Sequence, residues 1–311
     1  MSMFDLRVPV DVPGGSLYGR IIGLQGKPFV ILHGGPGMTH DYFLPDMQAL
    51  CQSGYQIFMY DQRGCGYSKE SMTNPDAINI DTYIKDFEAF CARFELKDIT
   101  LMGHSWGGLL AVRCAAAYPE LVTNLILVNP MPLSSEGYAD FVAQCTKRLE
   151  PYQEELGIVR RSDQYREGEV EAANLYYSLI FRAYFANHRK IEGLRSVPEY
   201  NKLMAPNWQR VEELFRKNLI SKPFDFHEDL SKITANTLFI HGDADPTPRE
   251  WIDKMRAMIP DSKFREIEKA GHFPWVEQPS KFFLYVQVFL VQVSMAQEVA
   301  HSASDVSDFS E

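Results

Sequence analysis

The stretch Ile99-Thr100-Leu101-Met102-Gly103-His104-Ser105-Trp106-Gly107-Gly108 passes from a short strand-like run, through glycines, into the helical pattern LLAVRCAAAY. Between a strand and a helix, G-x-S-x-G reads as an elbow, because its glycines allow a turn tight enough to lift a serine hydroxyl above a sheet. The helix that follows aims the positive end of its dipole at negative charge developing near Ser105. Ser105 is therefore the candidate nucleophile.

The same grammar recurs on either side. Residues 28–32 (PFVIL) break at His33-Gly34-Gly35-Pro36-Gly37, Tyr55 to Tyr60 (YQIFMY) meets Asp61-Gln62-Arg63-Gly64, and Leu125 to Val128 meets Asn129-Pro130. Helical patterns lie between them, such as Asp81 to Leu96, with Tyr83, Ile84, Phe87, Phe90, Cys91 and Phe94 at three-and-four spacing. Apolar strands alternating with helices predict an α/β fold, with a mostly parallel central sheet flanked by helices and functional loops at the carboxyl ends of the strands. A short hairpin, Met3 to Val10 and Leu17 to Leu24, is expected before it.

From Met131 to Glu228 the strand grammar gives way to charged, aromatic, helical sequence, EAANLYYSLIFRAYF among it, which predicts an inserted helical cap. Strands resume at Asn236-TLFIHGDAD and near Phe264. The expected division is a first core segment over 1–130, the cap over 131–228, a second core segment over 229–300 and a disordered polar tail over 301–311. The apolar run Phe282 to Met295 falls short of the ~20 residues a membrane span requires and reads as a buried terminal helix.

A serine hydroxyl is a weak nucleophile at neutral pH and needs a base, which in turn needs an orienting carboxylate. The order for this kind of sheet is serine, acid, histidine. Asp245 follows the strand TLFIHG and His272 follows the next one, so both fall on loops at the edge that carries Ser105. Asp243, two residues away, competes with Asp245, and His33, His104 and His241 are alternatives to His272. An oxyanion would take one hydrogen bond from the backbone N–H after the nucleophile, at Trp106, and a second from the glycine loop, at Gly35. Asp61 to Ser68 reads as a rigid loop whose arginine braces neighbouring active-site loops.

Composition excludes more than it identifies. A formal charge of -10 argues against nucleic acid or anionic membrane as a partner, since both call for basic patches. Five scattered cysteines with no C-x-x-C pair read as reduced thiols in a cytoplasmic protein, and the N-terminus lacks the apolar core of a signal peptide. The glycine runs lack the P-loop lysine and the G-x-G-x-x-G spacing, and no His/Cys cluster has metal-ligand spacing, so neither cofactor nor metal is expected.

Taken together, HGGPG (33–37), DQRGCGYS (61–68), GHSWGG (103–108), HGDAD (241–245) and AGH (270–272) resemble the prolyl aminopeptidase, or proline iminopeptidase, family of α/β-hydrolases. HGGPGMTHDY (33–42) is similar to its tricorn-interacting aminopeptidase branch. The resemblance implies an α/β-hydrolase fold, a triad of Ser105, Asp245 and His272, an oxyanion hole at Gly35 and Trp106, and release of an N-terminal residue, proline or another small apolar one, from short peptides. Family aminopeptidases hold the substrate amine with acidic groups, several from the cap. Here Pro246 and Asn207-Trp208 stand where the tricorn-associated relatives are acidic, leaving Glu169, Glu171, Glu212 and Glu213 as candidates. Tyr177 and Trp208 stand among the cap aromatics that could form a pocket. The alternatives are a small-molecule esterase, lactonase or amidase of the same fold, and a hydrolase-like binding protein without turnover.

Overall fold

The computed structural model describes residues 4–71, 74–194 and 210–307. Eight strands form one sheet: β1 (Asp5–Val12), β2 (Gly15–Ile22), β3 (Lys27–Leu32), β4 (Tyr55–Asp61), β5 (Ile99–His104), β6 (Val122–Val128), β7 (Asn236–Gly242) and β8 (Lys263–Ile267). Their order is β1-β2-β4-β3-β5-β6-β7-β8. β1 and β2 form the N-terminal hairpin, with Asp5 opposite Ile22 and Val12 opposite Gly15, and β2 meets β4 antiparallel. Every later pairing is parallel.

Pleating divides each central strand between two cores. Phe29 and Ile31 of β3, like Ile57 and Met59 of β4, join one cluster, while Val30, Leu32, Phe58 and Tyr60 join the other. Helix α1 (Ile80–Arg93) covers the second, and the side-chain oxygen of Asn79 accepts from the Thr82 N–H at 3.0 Å to cap it. Helix α2 (Trp106–Ala117) starts directly after Ser105 and is buried nearly all round, which explains its almost unbroken apolar composition.

Between β6 and β7 the chain leaves the sheet to form α3 (Ser135–Leu149), α4 (Gln153–Arg161), the single turn α5 (Asp163–Arg166) and α6 (Val170–Ile180). The terminal helix Pro279–Ser307 corrects two expectations. It runs past residue 301, because nothing between Pro279 and Ser307 breaks a helix: the segment has no internal glycine or proline. It is also only half-buried: Phe282, Val286, Phe289 and Val293 face the core, whereas Leu284, Val288, Val291 and Met295 are exposed. Among the described residues no helix is long and apolar enough to cross a membrane.

Arg63 is buried, and its guanidinium reaches α1 and the β1–β2 turn. Its guanidinium donates to both carboxylate oxygens of Asp86 on α1, at 2.9 and 2.5 Å, and to the Pro13 carbonyl in the β1–β2 turn at 2.9 Å. Burial pushes the Asp86 carboxyl up from its ordinary range in spite of Arg63. Asp86→Ala would leave a buried guanidinium without its counter-charge and is expected to cost about 3 kcal/mol, measured as a lower urea midpoint at unchanged m-value.

Candidate active site

The carboxyl ends of β3, β5, β7 and β8 bring the quoted motifs together. At the end of β5, Ser105 holds φ 57° and ψ −122°, a strained conformation for a residue with a side chain. Close approach is what the neighbouring glycines provide. A Cβ at Gly103 would strike the carbonyl of Gly107, the second residue of α2, and a Cβ on Gly34 would sit 2.9 Å from the Ser105 Cβ.

Ser105 opens into a cavity of about 400 Å³, lined also by Gly35, Trp106 and His272 from the sheet side. Its roof comes from the helices between β6 and β7, with Tyr138, Phe141, Cys145, Arg160, Tyr176 and Glu212 among the lining. The backbone N–H groups of Gly35 and Trp106 make no hydrogen bond among the described residues, Trp106 because it is the first residue of α2.

The structure pairs His272 with Asp245 rather than with Asp243. His272 Nδ1 lies 2.5 Å from Asp245 Oδ2, and the other carboxylate oxygen accepts from the Thr247 N–H at 2.7 Å. Burial opposes ionisation of Asp245, but the attraction of His272, its hydrogen bond and the Thr247 N–H outweigh it and hold the carboxyl below its usual range. Asp243 instead accepts from the Ala270 N–H at 3.3 Å.

Three of the other histidines, His33, His104 and His241, are buried in the framework. His104 Nδ1 accepts from the Tyr42 hydroxyl at 2.8 Å, that hydroxyl accepts from the Gly34 N–H at 2.5 Å, and His104 Nε2 donates to the His272 carbonyl at 2.8 Å. Burial and the neighbouring His272 hold His104 well below the ordinary histidine range. Burial likewise takes His33 down to about 4 and lowers His241.

Four residues outside the proposed triad and oxyanion hole hold the loops in place. The Asn129 side-chain amide donates to the Gly271 and His272 carbonyls, at 3.0 Å each, and accepts from the Gly242 N–H at 2.9 Å. Arg148 on α3 donates to the carbonyls of Ala183, Ala244 and Asp245, at 3.0, 2.7 and 3.1 Å. Glu277, fully buried, accepts from the Gly271 and Asn187 N–H groups at 2.5 and 2.9 Å. Gln62 lies between the glycine loop and Trp106. Of these, only the asparagine after β6 and the DQRG loop stood out in the sequence.

The predicted substrate-binding residues divide. Glu212 lines the cavity and is ion-paired with Arg216 at 2.7 Å. Glu169, Glu171 and Glu213 do not line it and are exposed, because each projects from the solvent side of its helix. Tyr177 is buried beside Phe181 in the core rather than in the cavity wall, where its neighbour Tyr176 stands with Tyr184. Trp208 lies outside the described residues. Among the described residues no group of His, Cys, Asp and Glu side chains could hold a metal ion.

A family model described as alpha/beta hydrolase fold matches residues 27–279. A proline iminopeptidase of Lactobacillus helveticus is 29% identical over 296 residues, covering 90% of this chain and 95% of the relative. The crystal structure of a proline iminopeptidase from Mycobacterium smegmatis superposes with a TM-score of 0.69 at 21% identity, over 94% of this chain and 100% of that one. An esterase from Exiguobacterium antarcticum superposes with a TM-score of 0.65 at 22% identity, over 94% and 100% respectively. The two structural likenesses speak for the fold alone, which both activities share.

Proposed function

The chain belongs to the alpha/beta hydrolase fold family and is by that kinship a hydrolase; we propose that it is a cytoplasmic serine hydrolase working through an acyl-enzyme on Ser105. The Ser105 hydroxyl attacks a carbonyl carbon while His272 takes its proton, and Asp245 steadies the imidazolium that forms. Gly35 and Trp106 N–H groups receive the oxyanion, in positions set before substrate arrives. His272 then passes the proton to the leaving group, and water repeats the sequence to release the acid. The observation that carries this reading is the 2.5 Å contact of His272 Nδ1 with an ionised, buried Asp245, on a histidine that shares one cavity with Ser105.

The substrate class we propose is the short peptide with a free N-terminus, from which proline or another small apolar residue is released. The proline iminopeptidase relatives, 29% identical over 90% of the chain, support it, and the helices roofing the cavity then serve as the cap that selects what enters. A second reading, esters, lactones or amides without an amine, draws support from Glu212. It is the carboxylate lining the cavity among the described residues, and Arg216 already engages it.

One comparison separates the two. Proline, alanine and leucine fluorogenic amides should be cleaved, and N-acetylation should abolish most of that turnover, since a carboxylate waiting for an ammonium group would lose its partner. Labelling by a fluorophosphonate without cleavage of any amide would move the assignment to esters and lactones. Neither label nor turnover would leave only a binding protein.

A further inference from the structure

We propose that Gln62 is the positioning residue that fixes the spacing of the two oxyanion donors, gripping the glycine loop with one end of its carboxamide and the elbow helix with the other. The inference rests on the serine hydrolase reading above. Gln62 is 1% exposed and follows the last residue of β4. Its side-chain Nε2 donates to the His33 carbonyl at 2.7 Å, and its Oε1 accepts from the Trp106 indole N–H at 2.8 Å. Its backbone N–H donates to His33 Nε2 at 2.9 Å. That last bond makes Nε2 the acceptor, so the His33 proton sits on Nδ1, 3.0 Å from the Gly34 carbonyl, and burial keeps the ring neutral for this arrangement.

His33 lies two residues before Gly35, and Trp106 carries the other proposed donor on its own backbone. The carboxamide therefore bridges the two segments whose N–H groups must converge on one oxygen. Those segments come from β3 and β5, and Gln62 comes from β4, on the far side of β3 from β5. Few side chains can serve. The bridge needs a donor at one end and an acceptor at the other, at glutamine's reach: ionised glutamate would set an anion against the His33 carbonyl, asparagine is one methylene short, and methionine fills the space without either bond.

An oxyanion donor matters only once negative charge has built up on the substrate oxygen, so a misplaced donor lowers kcat and spares KM. With p-nitrophenyl acetate as the probe, which needs the hole but no particular side-chain pocket, Gln62→Met is expected to lose about 30-fold in kcat with KM within about threefold. Fluorophosphonate inactivation should slow in parallel, because the phosphoryl oxygen occupies the same hole. Gln62→Glu adds a pH signature that a packing role does not have: its kcat relative to wild type should rise as pH falls and the carboxyl gains the proton it needs to donate to His33. The same ratio for Gln62→Met should stay flat.

If Gln62→Met fails to fold, Trp106→Phe decides. It keeps the backbone donor and a benzene ring, removes the indole N–H together with the five-membered ring that carries it, and should cost about fivefold in kcat with KM within about threefold. The idea is overturned if folded Gln62→Met, or Trp106→Phe in its place, keeps kcat within twofold of an active wild type, or loses it only through KM. A wild type that neither hydrolyses the ester nor takes the label brings down the serine hydrolase reading and this one with it.

Discussion

Ser105→Ala is expected to lower kcat by at least about four orders of magnitude, because a triad acts as a unit and only its surroundings still contribute when the nucleophile is gone. The fold should survive, since Ser105 makes its framework contacts through the backbone: its N–H donates to the Val128 carbonyl at 3.1 Å, and its carbonyl accepts from Gly108 and Met131 N–H groups at 2.8 Å each. Ser105→Gly separates activity from stability. At φ 57° and ψ −122° a side chain is under strain that glycine escapes, so this variant should be equally inactive yet more stable by about 1 kcal/mol. Steady-state turnover, fluorophosphonate labelling and thermal unfolding on the three proteins provide the check. Turnover by Ser105→Ala within tenfold of wild type would end the assignment.

The second large effect is expected at Asp245. Asparagine preserves the shape but offers His272 Nδ1 an amide that can donate to it, which shifts the ring proton to Nε2 and blocks the nitrogen that must accept from Ser105. A fall of about 10⁴ in kcat follows for that tautomer. The pH dependence carries a separate signature. The Asp245 carboxyl is held below its ordinary range in the folded protein, chiefly by His272 and the Thr247 N–H against the cost of burial. Folding therefore gains stability from it at pH values above the unfolded carboxyl range, and that gain is lost as pH falls through the lower, folded value. Asp245→Asn should flatten this part of the acid unfolding curve. An unchanged kcat, or an acid transition identical to wild type, would remove Asp245 from the role.

The elbow, the sheet and the placement of Asp245 and His272 were legible because each is local: an apolar run, a break at small residues, and a polar residue on the loop that follows. What the sequence could not supply were pairings between distant segments. The loop Asp61 to Ser68 was readable as rigid, yet its arginine looked inward to Asp86 and the first hairpin, while Gln62 reached Trp106, 44 positions away. Glu277 looks like an ordinary acid at a helix start until the chain folds it under Gly271. In the inserted helices, Glu169 and Glu212 are indistinguishable as letters. Only the docking of each helix decides which carboxylate meets the cavity and which meets water.

The inserted helices are stitched to the loops that carry Asp245 and His272. Tyr184 takes the His272 N–H on its carbonyl at 2.6 Å, Arg148 grips the carbonyls of Ala244 and Asp245, and Glu277 ties Asn187 to Gly271. Such an insertion is not a module that can be swapped to retarget the enzyme. A transplanted segment that failed to re-form these three contacts would leave the loops of Asp245 and His272 less firmly held, along with whatever specificity it was meant to change.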